Sequence, residues 1–147
     1  MNRRHLLRSA WVVLLGARAV GVSAAGPGDV AGADARRVRA VVQAQLDAFA
    51  AGDAARAFTY AAPPIRDMFG TPERFMEMVE RRYAPVIRPA SVAFLVTQVS
   101  GDAAIQGVHL TDASGDAWLA VYRLERQPDR NWRITGCELH ESTARTT

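Results

Sequence analysis

Apolar positions recur along this chain with two periods, and the change between them separates a helical half from a strand half. Val38, Val41, Val42, Leu46 and Phe49 fall at helical spacing and predict one amphipathic helix. Asp34 is placed to cap its start, Gly52 to end it, and Asp53 to cap the next helix. That second helix presents Ala54, Ala57, Phe58 and Ala61 on one face and stops at Pro63-Pro64, because proline has no amide hydrogen to donate. A helical turn over 65–69 ends at Gly70. Thr71-Pro72 then opens a last helix with an N-cap and a first-turn proline. Phe75, Met76, Val79 and Tyr83 face inward along it, and Pro85 terminates it.

From Pro89 onward the period becomes that of strands. Four are expected, over 91–99, 103–110, 116–126 and 131–139. Gly101-Asp102 suits a two-residue hairpin turn with glycine first, residues 112–115 form a longer turn, and Pro128-Asp129 a third. This order predicts a single α+β domain over 34–140, its N-terminal helices packed on one face of a curved, mainly antiparallel four-stranded sheet. The strands are apolar on both faces at their centres. Trp118, Ala120, Tyr122 and Leu124 alternate with Ala117, Leu119 and Val121, and Val92, Phe94 and Val96 with Ala93, Leu95 and Val99. Short helices cover one face only, so a homodimer through the sheet is expected to cover the other.

The first residues follow neither pattern. Arg3-Arg4, a spacer, two leucines and Arg8 resemble a twin-arginine export motif. An apolar stretch strongest over 11–15 follows, and it ends in small residues at 22–25, a cleavage site after Ala24 or Ala25. The apolar run falls short of the ~20 residues of a spanning helix, and Arg18 interrupts it. Residues 1–25 therefore read as a cleavable signal peptide, recognised by the twin-arginine translocation machinery and signal peptidase. With no cysteine near the cut, a lipid anchor is excluded, and the mature protein is expected in the periplasm or secreted, without a stable membrane anchor. Residues 26–33 read as a flexible arm and 141–147 as a disordered tail.

Removing the signal changes the charge argument. The chain has 18 basic residues, all arginine, and 15 acidic ones. Arg3, Arg4, Arg8 and Arg18 leave with the signal while every carboxylate stays, so fourteen arginines face fifteen carboxylates and the net charge becomes −1. The basic excess that a general nucleic-acid surface requires is then gone, and Arg81-Arg82 reads as a solvated helix face. Cys137 is the one cysteine, so no disulfide forms within the chain.

Gln45-Leu46-Asp47-Ala48-Phe49, Ala62-Pro63-Pro64-Ile65 and 68–75 (MFGTPERF), with 118–122 (WLAVY) and 132–137 (WRITGC), are similar to a bacterial domain-of-unknown-function family, family 4864. The helix pair at 38–58 resembles the start of a nuclear-transport-factor-2-like domain. The resemblance implies a cone-shaped α+β fold with a cavity between helices and sheet, and no particular activity. It puts Tyr60, Tyr83, Trp118 and Tyr122 forward as candidates to line that cavity and hold a small apolar ligand, with Arg66 and Arg88 as candidates at its mouth.

Candidate chemistry is sparse. His109, His140 and Cys137 show no zinc-site spacing, so no metal and no cofactor is expected. Cys137 reads as a buried thiol of the last strand, pointing away from His140. His109 is the candidate general base if it faces the cavity, and the direction of its side chain decides whether an enzyme reading keeps its best residue. Asp47 and Asp67 have no assigned partner. Together these features favour an exported, non-enzymatic small-molecule-binding or accessory module. A cofactor-independent isomerase or hydrolyase using His109 or a buried aspartate is the alternative. A purely structural partner subunit would have no cavity.

Overall fold

The computed structural model describes Gly21 and residues 26–142; the expected signal peptide and the tail beyond Ser142 lie outside them. Helix α1 (Pro27–Ala50) starts well before Asp34. Pro27 sits in its first turn, and the Asp29 carboxylate accepts a hydrogen bond from the Gly26 amide at 3.3 Å, the arrangement that closes a helix start. The expected arm at 26–33 is thus corrected to the opening of α1, and Asp34 is an interior residue instead of a cap. Its carboxylate is 3% exposed and accepts from Arg126 Nη2 at 2.7 Å. The helical stripe Val38, Val42, Leu46 and Phe49 is buried as its spacing requires.

Helix α2 (Ala54–Thr59) is capped by the Asp53 carboxylate, which accepts from the Arg56 amide at 3.0 Å. Helix α3 (Pro63–Phe69) begins on the two prolines, and α4 (Pro72–Arg82) is capped by the Thr71 hydroxyl. Three strands are long: β3 (Ala103–Thr111), β4 (Ala117–Arg126) and β5 (Trp132–Glu141). The segment expected as one strand over 91–99 is two, β1 (Ser91–Phe94) and β2 (Gln98–Ser100), both antiparallel to β3. The sheet therefore has five strands, not four, in the order β1-β3-β4-β5 with β2 beside β1 on β3.

A register change causes the split. Leu95 donates to the Gly107 carbonyl at 2.9 Å, yet Gln98 already faces Ile105. Val96 and Thr97 together oppose Gln106, a one-residue bulge. Gln106 is fully buried; its Nε2 donates to the Leu95 and Gly107 carbonyls at 2.8 Å each, and its Oε1 accepts from the Thr97 hydroxyl. The side chain replaces the ladder bonds that the bulge removes. At Gly107 the ladder passes close to Leu95: a Cβ there would stand 2.9 Å from Leu95 Cδ1, so a larger residue must push aside the end of that side chain.

The helices lie on one face of this curved sheet, over Val108, Leu110, Ala120, Leu124 and Trp132. One edge is tied directly to the helical layer. The Ala62 amide donates to the Ile134 carbonyl and the Ile134 amide to the Tyr60 carbonyl, each at 2.8 Å, so the α2–α3 link pairs with β5 like a short extra strand. This tether holds α3 and α4 beside the sheet edge, and a space remains between them and β4–β5.

Candidate functional site

That space is a cavity of about 790 Å³, within the usual range for small-molecule sites. Its back is aromatic. The Phe75 ring stands 6.2 Å from Phe49, 5.5 Å from Phe58 and 5.8 Å from Phe69, centroid to centroid, and Phe49, Phe69 and Phe75 face the space. Ile65, Val79, Val86 and Ile134 add aliphatic wall, and Met68 and Met78 line it from α3 and α4. Met68 is 75% exposed, which places it at the opening. Two flexible thioether side chains suit a mouth that adapts to its occupant.

The sheet contributes the polar floor. Tyr122 on β4 pairs across the ladder with Cys137 on β5, and both line the cavity. Tyr122 is 2% exposed, and its hydroxyl has no aligned hydrogen-bond partner. Leaving a buried hydroxyl unpaired costs about 1–3 kcal/mol. Burial, and secondarily the neighbouring Cys137, raises the Tyr122 pKa well above its ordinary value, so the group is a neutral donor. Burial also pushes the Cys137 thiol up to about 12; the nearby Tyr122 hydroxyl opposes this and the Glu138 carboxylate adds to it. The two groups thus influence one another without an aligned hydrogen bond between them. Cys137 remains a neutral thiol at physiological pH, and the thiolate is the nucleophile. Gln45 from α1 completes the floor, its Nε2 held by the Ala57 carbonyl at 3.1 Å.

Arg74, Arg81 and Arg82 of α4 also border the cavity, with Glu77. All four side chains are exposed at the rim.

Of the tyrosine and tryptophan candidates, Tyr83 and Tyr122 face the cavity, and Tyr60 and Trp118 do not. Tyr60 lies beside Arg56, whose pKa it raises. Trp118 donates through Nε1 to Asp112 Oδ2 at 3.0 Å. Asp112 Oδ1 also accepts from the Ser114 and Asp116 amides, so Trp118 braces the β3–β4 turn; chiefly through the Trp118 bond, the Asp112 pKa is lowered. Arg88 donates to the Ala50 carbonyl at 2.9 Å and, like Arg66, is not part of the cavity wall. His109 is exposed on the opposite face of the sheet, paired with Leu119. The enzyme alternative thereby loses its best candidate base. Asp47 and Asp67 are exposed as well. Sequence reasoning missed the three rim arginines, having read Arg81-Arg82 as a solvated face. The signal for them was the i, i+4, i+7 stripe Arg74, Met78, Arg81, which puts apolar and cationic groups on one helix face.

Among the described residues no group of three or more His, Cys, Asp or Glu side chains is arranged to hold a metal ion. No described helix is long and apolar enough to cross a membrane.

The chain is similar to an NTF-2 like protein of unknown function from Burkholderia xenovorans LB400, known from a crystal structure, with 16% identity and a TM-score of 0.48. The match covers 76% of this chain and 88% of that one. No curated protein matches the chain. Over residues 31–147 it matches the model of the family described as Domain of unknown function (DUF4864), and it belongs to that family.

Proposed function

We propose that this protein is an exported small-molecule-binding module that takes an apolar ligand into the space between α3–α4 and β4–β5. One observation carries this reading: an aromatic- and aliphatic-walled cavity of about 790 Å³ runs up to the sheet at Tyr122, whose hydroxyl is buried and lacks an aligned hydrogen-bond partner. A protein whose purpose was only to fold gains by filling such a space or removing the hydroxyl. A ligand that fills the space relieves the first cost, and one that reaches in to accept a hydrogen bond from Tyr122 relieves the second. Export rests on the Arg3-Arg4 motif and the apolar stretch that follows it. Homodimerisation rests on the outer sheet face, where Leu95 and Ile105 are each 42% exposed. Light scattering that gives only monomer at micromolar concentration would remove that second part.

The uncharged fluorophore N-phenyl-1-naphthylamine tests the binding reading. It is expected to brighten and saturate at one equivalent on the wild-type protein. Cys137→Phe, which pushes a ring into the space beside Tyr122, is expected to abolish the signal while circular dichroism stays native. No brightening on the folded wild type contradicts the reading.

A further inference from the structure

We infer that the ligand is an amphipathic oxyanion, its apolar body in the cavity and its carboxylate or phosphate head at the arginines of α4; the inference rests on the binding reading above. The cavity is chemically asymmetric. Its depth holds Phe49, Phe75, Val79 and Ile134, with only uncharged polar groups beside them, Gln45, Tyr122 and Cys137. Its rim holds Arg74, Arg81 and Arg82 against one carboxylate, Glu77. Among the described residues none of these four has an oppositely charged partner within 4 Å, whereas Arg123 and Arg126 on the sheet are ion-paired. Glu77 and Arg81 stand one turn apart on α4, at the spacing that favours pairing, and still do not pair.

Three cations and one anion around an apolar opening select an anionic head over a neutral or cationic one. Guanidinium forks match the planar oxygens of carboxylate and the tetrahedral oxygens of phosphate. The alternation Arg74, Met78, Arg81 sets a thioether between two guanidinium groups, so chain and head are met on a single helix face. Tyr122 lies at the other end, on the sheet, and is left for an oxygen or other acceptor on the body of the ligand. Medium-chain acids and alkyl phosphates share this chemistry.

Displacement of bound N-phenyl-1-naphthylamine, below micelle-forming concentrations and at low salt, separates the possibilities. Decanoate, decyl phosphate, decan-1-ol and decyltrimethylammonium serve as competitors. One of the two anions is expected to displace the dye about tenfold better than decanol, the size of a charge-assisted contact, and the cation worse than decanol. Which anion leads identifies the head. In the triple variant Arg74→Gln/Arg81→Gln/Arg82→Gln the preference is expected to collapse to within about twofold, and added salt is expected to weaken it in the wild type. Dye binding with decanol equal to or better than both anions overturns the inference and leaves the binding reading standing. An anion preference that survives the triple variant but disappears in Tyr122→Phe overturns it too, by placing the head on the sheet. Failure of the dye and all four competitors to bind overturns the binding reading itself.

Discussion

Two arginine-bearing regions of this domain use the same side chain for opposite ends. At one side, Arg126 of β4 is 14% exposed and held by Asp34 Oδ2 at 2.7 Å, with Asp102 Oδ1 3.2 Å from its Nε. Its guanidinium also lies 4.9 Å above the Trp132 ring. On the cavity side, Arg74, Arg81 and Arg82 are exposed and lack acidic partners among the described residues. The first arrangement joins α1 to the sheet and neutralises the charge between two carboxylates. The second keeps charge available beside an apolar opening. Partner geometry, not residue type, separates an arginine that fixes a fold from one placed to meet a ligand.

The largest expected effect falls on the closed side. Asp34→Ala removes one partner of a largely buried pair and leaves Arg126 without its closest carboxylate, so chemical denaturation should show a loss of about 3 kcal/mol. The rim arginines give the contrast. Arg74→Gln, Arg81→Gln and Arg82→Gln should each shift stability by no more than about 0.5 kcal/mol, the range for exposed positions. If the rim variants cost as much as Asp34→Ala, the division between the two regions is wrong.

Alkaline pH probes the cavity floor next. The Cys137 thiol is raised from 9.0 to about 12 in the folded state. The folded protein therefore holds this proton more tightly than the unfolded chain. The associated stability is fully present below pH 9 and is lost as pH rises toward 12, by at most about 4 kcal/mol. Tyr122, raised in the same direction, adds a parallel loss above its ordinary value of 10.0. Urea midpoints measured from pH 8 upward should fall, and Cys137→Ala should make the fall shallower. At the acid end the sign reverses for Asp112: its lowered pKa contributes stability above the ordinary carboxylate value, lost as pH falls through the folded value.

Smaller still is the expected change in Tyr122→Phe. Removing an unpaired buried hydroxyl should leave stability unchanged or raise it by up to about 1 kcal/mol, read from the same urea curves. A loss above that would mean that the hydroxyl already has a partner. Gly107→Ala should cost about 1 kcal/mol or less, since its Cβ meets the movable end of Leu95 first.

The periodic elements were legible because one face of each is buried. The stripe from Val38 to Phe49, the capping residues Asp53 and Thr71, and the glycine-first turn at 101–102 all behave as their sequence spacing demands. Asp34 was misread because an aspartate ahead of an apolar stripe has the same local appearance whether it caps a helix or pairs across the fold; Arg126, distant in sequence, decides between them. The bulge at 96–97 was invisible for a similar reason. The local sequence, Val96-Thr97-Gln98, carries no glycine or proline to mark it, and the side chain of Gln106 on another strand completes the bonding. At the site, the family resemblance put Tyr122 forward while strand alternation, apolar on both faces, left its direction and that of His109 open, since one residue of register exchanges the faces of a sheet. The rim arginines were legible as a helix face but not as a mouth, because that requires knowing where α3 and β5 stand.

Methionine methyl resonances offer the most direct test of the central claim, that the space beside Tyr122 binds a small apolar molecule. Met68 and Met78 line the cavity, while Met76, on the same helix as Met78, is buried in the core and is not part of the wall. In carbon-13 methyl spectra of the labelled protein titrated with decan-1-ol, the Met68 and Met78 signals should move together and saturate while Met76 moves least. Saturable movement of Met76 alone, or none at Met68 and Met78 up to the solubility of the alcohol, would contradict the account.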